Sequence, residues 1–96
     1  MSPNNKKKLK KLRQNLDKLD NSFIKLVKKR TRLVKEVLKL KQYKNEIVDK
    51  KRIKTILSQI KKKSIKNNID PKITNRIWKN MIMSYIDYEK RNFKKK

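Results

Sequence analysis

From Leu9 onward the apolar residues fall at alternating spacings of three and four: Leu9, Leu12, Leu16, Leu19, Phe23, Leu26, Leu33, Val37 and Leu40, with Arg30 holding one position of the stripe. That period belongs to an α-helix with a coiled-coil type seam and to no other regular structure. No Pro or Gly interrupts it. The pattern predicts one helix from about residue 6 to about residue 42, roughly 55 Å long at about 1.5 Å per residue. A chain of 11.7 kDa cannot close a compact globule around such a helix, because half of the stripe would stand in water. A second copy of the chain is the simplest cover. A second apolar seam, Ile24, Val27, Val34 and Leu38, points to burial on more than one side.

The rest of the chain predicts two shorter helices. Gln42–Val48 reads as a connection, with Asn45 the residue best suited to a positive φ in a chain that has no Gly. Asp49 stands where an N-cap is needed, ahead of a face made by Ile53, Ile56, Leu57 and Ile60, with Ser64 one turn further on. Asn67-Asn68 can end that helix through a left-handed residue. Asp70-Pro71 opens a third helix as N-cap and first-turn proline. Its buried face is expected to carry Ile73, Ile77, Met81, Ile82 and Tyr85, with Trp78 alongside. The expected fold class is all-α, with one long and two shorter helices per chain in an intertwined dimer. Residues 1–96 form a single domain, with residues 1–8 and 92–96 as loose basic tails (the second loosening from Arg91).

Composition excludes several chemistries. Cys, His and Gly are absent, so disulfides, thiolate or imidazole metal ligands, Cys nucleophiles, His bases and glycine-rich phosphate loops are all ruled out. No cofactor or metal is expected. No apolar run approaches a membrane span, and the basic start lacks a signal-peptide core; the chain is expected in the cytoplasm, with no membrane partner. The formal net charge of +24 invites a nucleic-acid reading, since each neutralised phosphate releases counterions. Yet Lys, Asn and Ile make up about half of the chain, Ala and Gly are missing, and Lys outnumbers Arg about four to one. That skew is what A/T-rich codons place on any solvated surface, whereas groove readers prefer the Arg fork. Non-specific adhesion by charge is the expected extent of nucleic-acid binding.

Some residues break the pattern. Arg30 sits where neighbouring repeats carry Leu, Phe or Val; it is either a snorkelling or register-setting cation or a ligand-binding one. Lys41 follows at eleven residues, about three full turns, on nearly the same face and about 16 Å further along. Two cations facing a bundle interior repel unless an anion separates them. Arg13 lies about 25 Å before Arg30, rotated by about 100°, too far to share a small ligand within one helix but within reach of one in an antiparallel partner. Three interior cations, one supplied in trans, suit a small dianion. Of the scarce acids, Asp17 and Asp20 flank the stripe, and Glu36 and Glu46 read as solvated. Glu89 falls on the inward face of the third helix, four residues after Tyr85, either as a salt-bridge partner of a lysine or as a site residue.

Taken together, these residues resemble the all-helical class of chorismate mutases, from about Leu9 to about Arg91. Leu12-Arg13-Gln14-Asn15-Leu16-Asp17-Lys18-Leu19-Asp20 is similar to the family's opening pattern of Leu-Arg followed by two apolar-Asp pairs. Arg30, closing Leu26-Val27-Lys28-Lys29-Arg30, matches the family's second arginine, and Lys41, closing Val37-Leu38-Lys39-Leu40-Lys41, its active-site lysine. Val48-Asp49-Lys50-Lys51-Arg52 matches the Asp-x-x-Arg of the second helix, and Asn68-Ile69-Asp70-Pro71 the opening of the third. The resemblance implies a homodimer with two equivalent sites, each taking Arg13 across the interface. It also implies a Claisen rearrangement of chorismate to prephenate, in aromatic amino-acid biosynthesis, without a covalent intermediate, metal or cofactor. Arg13 and Arg30 would grip the carboxylates, Lys41 would stabilise charge on the ether oxygen, and Asp49 with Arg52 would order the loop and the ring-side wall.

The sequence departs from the family pattern at Ile53, which replaces a glutamate, at Tyr85, which replaces a serine, and at Glu89, which replaces a glutamine. Arg52-Ile53 and the run from Tyr85 to Glu89 are closer to isochorismate-pyruvate lyases, a branch of the same fold that makes salicylate and pyruvate. The expected site is therefore Arg13, Arg30, Lys41, Asp49, Arg52, Ile53, Tyr85 and Glu89, with Lys41, Glu89 and Arg30 nearest the chemistry. Chorismate is the first choice of substrate and isochorismate the alternative.

Overall fold

A computed structural model describes residues 1–95. It contains α1 (Pro3–Leu40), a turn of 3-10 helix at Lys44–Glu46, α2 (Lys50–Lys66) and α3 (Pro71–Asn92), with no strand among the described residues. None of these helices is long and apolar enough to cross a membrane. The all-helical expectation holds. The chain divides into two compact units, Met1–Leu33 and Val34–Lys96, the latter described to Lys95.

The first unit is helical from Pro3 and not from residue 6. The reason is local: Ser2 caps the helix, its Oγ accepting from the Asn5 N–H at 3.2 Å and its carbonyl from Lys6 N–H at 2.9 Å. Pro3 then occupies the first helical position, where its missing N–H costs nothing. Residues 3–8, expected as a loose tail, thus continue the helix. No residue of α1 is buried within the chain. Leu12, Leu16, Leu19, Phe23 and Leu26 are all well exposed, each near 60%.

The second unit is held by packing of α2 on α3. Each expected residue of the α2 face, Ile53, Ile56, Leu57 and Ile60, is half-buried, and Ser64 is buried. Both caps form as expected. Asp49 Oδ1 accepts from Arg52 N–H at 2.9 Å, and Asp70 Oδ1 accepts from Lys72 N–H at 2.9 Å, with Pro71 following. The turn between the helices is a Schellman closure: Ile69 N–H reaches Ser64 C=O at 2.9 Å and Asn68 N–H reaches Ile65 C=O at 3.2 Å, with Asn68 at φ 57°. Asn68 is the one left-handed residue described, so Asn45 does not take that role; it sits inside the 3-10 turn, which needs no positive φ.

Most of the expected face of α3 is the inward one: Trp78, Met81, Ile82 and Tyr85 are half-buried, with Ile86 beside them. Its first turns differ, with Ile73 and Ile77 exposed and Thr74 buried; Glu89 is buried further along. Ser64 Oγ and Thr74 Oγ1 lie 2.6 Å apart, the Ser64 hydroxyl also reaches Ile60 C=O at 2.6 Å and Thr74 reaches Pro71 C=O at 3.3 Å, so the hydroxyls are satisfied facing one another at the tight end of the hairpin. The most deeply buried hydrophobic residue is Ile47, 4% exposed, in the connection and outside every helical stripe. At the other end α3 runs through Arg91 to Asn92, past the expected start of the tail; Lys96 lies outside the described residues.

Candidate active site

Lys41 is the first residue past α1. Its N–H closes on Leu38 C=O at 3.2 Å, so the backbone leaves the helix with the side chain still directed by the last turn. Its ammonium donates to Glu89 Oε2 at 2.8 Å across a separation of 48 residues. Both side chains are largely withdrawn from water, 16% exposed for Lys41 and 9% for Glu89. Two ions in such a place need each other. Removal of one strands the other at a cost of about 3–5 kcal/mol for a buried pair. Of the two sequence readings of Glu89, this contact is the salt bridge to a lysine, with Lys41 as the partner.

The loop beside the pair is organised by Asp49. While its carboxylate caps α2 through Arg52 N–H, its carbonyl accepts from Ile53 N–H at 3.0 Å. Arg52 is exposed and Ile53 half-buried. Lys41, Glu46, Val48, Asp49 and Lys50 line an open depression. Glu46, Val48 and Lys50 were not among the expected site residues; their place in the short connection between Lys41 and Asp49 was the available signal. Tyr85 lies one turn before Glu89 on α3, half-buried. In the first unit, Arg30 is half-buried on its helix, while Arg13 is exposed and lines a shallow depression with Lys6, Leu9, Lys10, Gln14 and Asp17.

A helical frame that withdraws an ammonium and a carboxylate from water, in a chain with no thiol or imidazole, defines a class of protein whose chemistry rests on placed charge. The chain matches the family model of type II chorismate mutases over residues 12–90 and belongs to that family. Its activity is accordingly the isomerisation of chorismate to prephenate, a step of aromatic amino-acid biosynthesis. No curated protein and no solved structure matches it.

Proposed function

We propose that the rearrangement takes place in a homodimer at a site built from Arg30, Lys41, Asp49, Arg52, Ile53, Tyr85 and Glu89 of one subunit and Arg13 of the other. The observation that carries the site is the interior Lys41–Glu89 pair at 2.8 Å. The dimer is supported by the bare stripe of α1, in which each of Leu12, Leu16, Leu19, Phe23 and Leu26 stands to gain about 1.5–3 kcal/mol from full burial.

In this reading the substrate's ether C–O bond breaks as a C–C bond forms within the same molecule. No proton or electron enters or leaves, so the protein needs only to hold and to stabilise. Arg13 and Arg30 grip the two carboxylates and select the compact conformer. The Lys41 ammonium turns from Glu89 towards the ether oxygen as charge grows there. Asp49 keeps the first turn of α2 in place, so that Arg52 and Ile53 form the ring-side wall.

The Glu89 carboxylate holds Lys41 and accepts hydrogen bonds only, whereas a glutamine in its place can donate one to the ether oxygen. Glu89→Gln should therefore preserve or raise turnover. Unchanged turnover in that variant, with lowered stability, would confine Glu89 to its ion pair. The direct test of the whole reading incubates purified protein separately with chorismate and isochorismate and quantifies prephenate, salicylate and pyruvate. Prephenate from chorismate is the expected result; salicylate and pyruvate from isochorismate alone would overturn it.

A further inference from the structure

The connection between Lys41 and α2 is anchored by a residue outside the proposed site. Ile47 is 4% exposed and, among the described residues, is the one buried hydrophobic side chain. Its neighbours face water: residues 42–46 before it and residues 48–52 after it are all exposed. The stretch from Lys41 to Ile53 also holds Asp49 and Arg52. Within it, Ile47 alone is withdrawn deeply into the protein.

The backbone hydrogen bonds of the connection join near neighbours: Lys41 N–H to Leu38 C=O at 3.2 Å, Glu46 N–H to Tyr43 C=O at 3.1 Å and Ile47 N–H to Lys44 C=O at 3.2 Å. The last two close a single 3-10 turn, whose bonds are poorer than those of an α-helix, and no side chain caps it at Tyr43. Such bonds shape the turn without fixing where it lies. Two features reach further, the Lys41–Glu89 ion pair at 2.8 Å and the burial of Ile47. A lysine ends a flexible four-carbon stem and can follow a moving loop. A β-branched side chain is the stiffer tether, because its χ1 is restricted. Its removal from water also outweighs any one of these exposed local bonds.

We propose that Ile47 is a positioning residue for the reaction. Its burial sets the course of the connection, and so places the Lys41 ammonium six residues before it and the Asp49 cap of α2 two residues after it. At 4% exposure it has little surface to offer a substrate, so it acts through Lys41. The inference rests on the reading of Lys41 as the group that stabilises charge on the ether oxygen, and it names the residue that holds that group in place.

The test is a pair of double-mutant cycles on the full-length protein. In the first, Ile47→Ala should lower kcat for chorismate about tenfold or more, as a small misplacement can, with KM changed by less than about threefold. Beside Lys41→Ala the same change should cost less than about twofold, because the group it places is gone. Ile47→Val, one methylene smaller and safe for folding, should lose about two- to threefold, again only where Lys41 is present. Ile60→Ala, a like truncation on the α2 face, should leave kcat within about twofold. The second cycle needs no substrate. Glu89→Gln should lower the urea midpoint of the unmodified chain. It should lower it by about half as much or less beside Ile47→Ala, and by an intermediate amount beside Ile47→Val, since a released Lys41 can turn to water. Equal losses of kcat with and without Lys41, or Ile60→Ala as harmful as Ile47→Ala, would reduce Ile47 to general stability and overturn the proposal. So would an undiminished effect of Glu89→Gln. A chain inactive on chorismate would count against the reading of Lys41, and the second cycle would still decide whether Ile47 holds the pair.

Discussion

The two units of this chain use the same helix-forming code and reach different ends. Residues Met1–Leu33 form a capped, uninterrupted helix with no buried residue, and their large apolar side chains face water within the chain. From Val34 onward the chain turns twice, between α1 and α2 and between α2 and α3, and buries Ile47, Ser64, Thr74 and Glu89. The first unit shows that caps and propensity suffice to draw a helix but leave its stripe unsatisfied. The second shows that burial begins where the chain can return on itself. A stripe that the chain cannot cover is a request for a partner.

The sharpest way to break this comparison is to spoil the stripe. Leu16→Glu with Leu19→Glu removes about 1.5–3 kcal/mol of potential burial per side chain and places charge in the seam. Sedimentation should shift from dimer to monomer, with loss of helical circular dichroism. An unchanged dimer would mean that another face makes the interface.

Next in size is Lys41→Ala, expected to lower turnover by about 10²–10³, the usual effect of removing one electrostatic stabiliser. Arg13→Ala should do the same by way of the other unit. Mixed with the Lys41 variant, it should recover part of the activity, because one of the two sites in such a heterodimer contains both intact residues. No recovery after verified subunit exchange would refute the shared site.

Within the second unit, Ser64→Ala removes the 2.6 Å hydroxyl pair and leaves Thr74 Oγ1 with the Pro71 carbonyl at 3.3 Å, and should cost about 1 kcal/mol in urea unfolding. Adding Thr74→Val should cost less than the sum of the separate changes, since both remove the same contact. The smallest effect belongs to the turn. Asn68→Ala, at φ 57°, should cost about 1–2 kcal/mol, and Asn68→Gly should be neutral or better.

Much of this molecule was legible in its residues. The long helix, both aspartate caps and the left-handed closure at Asn68 follow from side chains acting on backbone groups a few positions away. The α2 face follows from periodicity alone. The start of α1 was equally local and was missed because Ser2-Pro3 was absorbed into a run of lysines. The α3 face follows from periodicity at Trp78, Met81, Ile82 and Tyr85 and departs from it at Ile73 and Ile77, where the buried residue is Thr74, whose partner opposite is the Ser64 hydroxyl. Of the site, the sequence marked Lys41 and Glu89 separately and left open whether they belong to one another.

What the sequence by itself determined was therefore each helix, its ends, and which chemistry the chain could not perform. Capping, chirality and the 3.6-residue period act over a turn or less, so local residues decide them. Only the tertiary structure decided that Ile47 of the connection is the most buried hydrophobic residue and that Lys41 meets Glu89 across 48 residues. Those outcomes depend on how α1's last turns, the connection and α3 pack together. Packing is a property of surfaces brought from distant parts of the chain, and no periodicity along it records which surface a given side chain will meet.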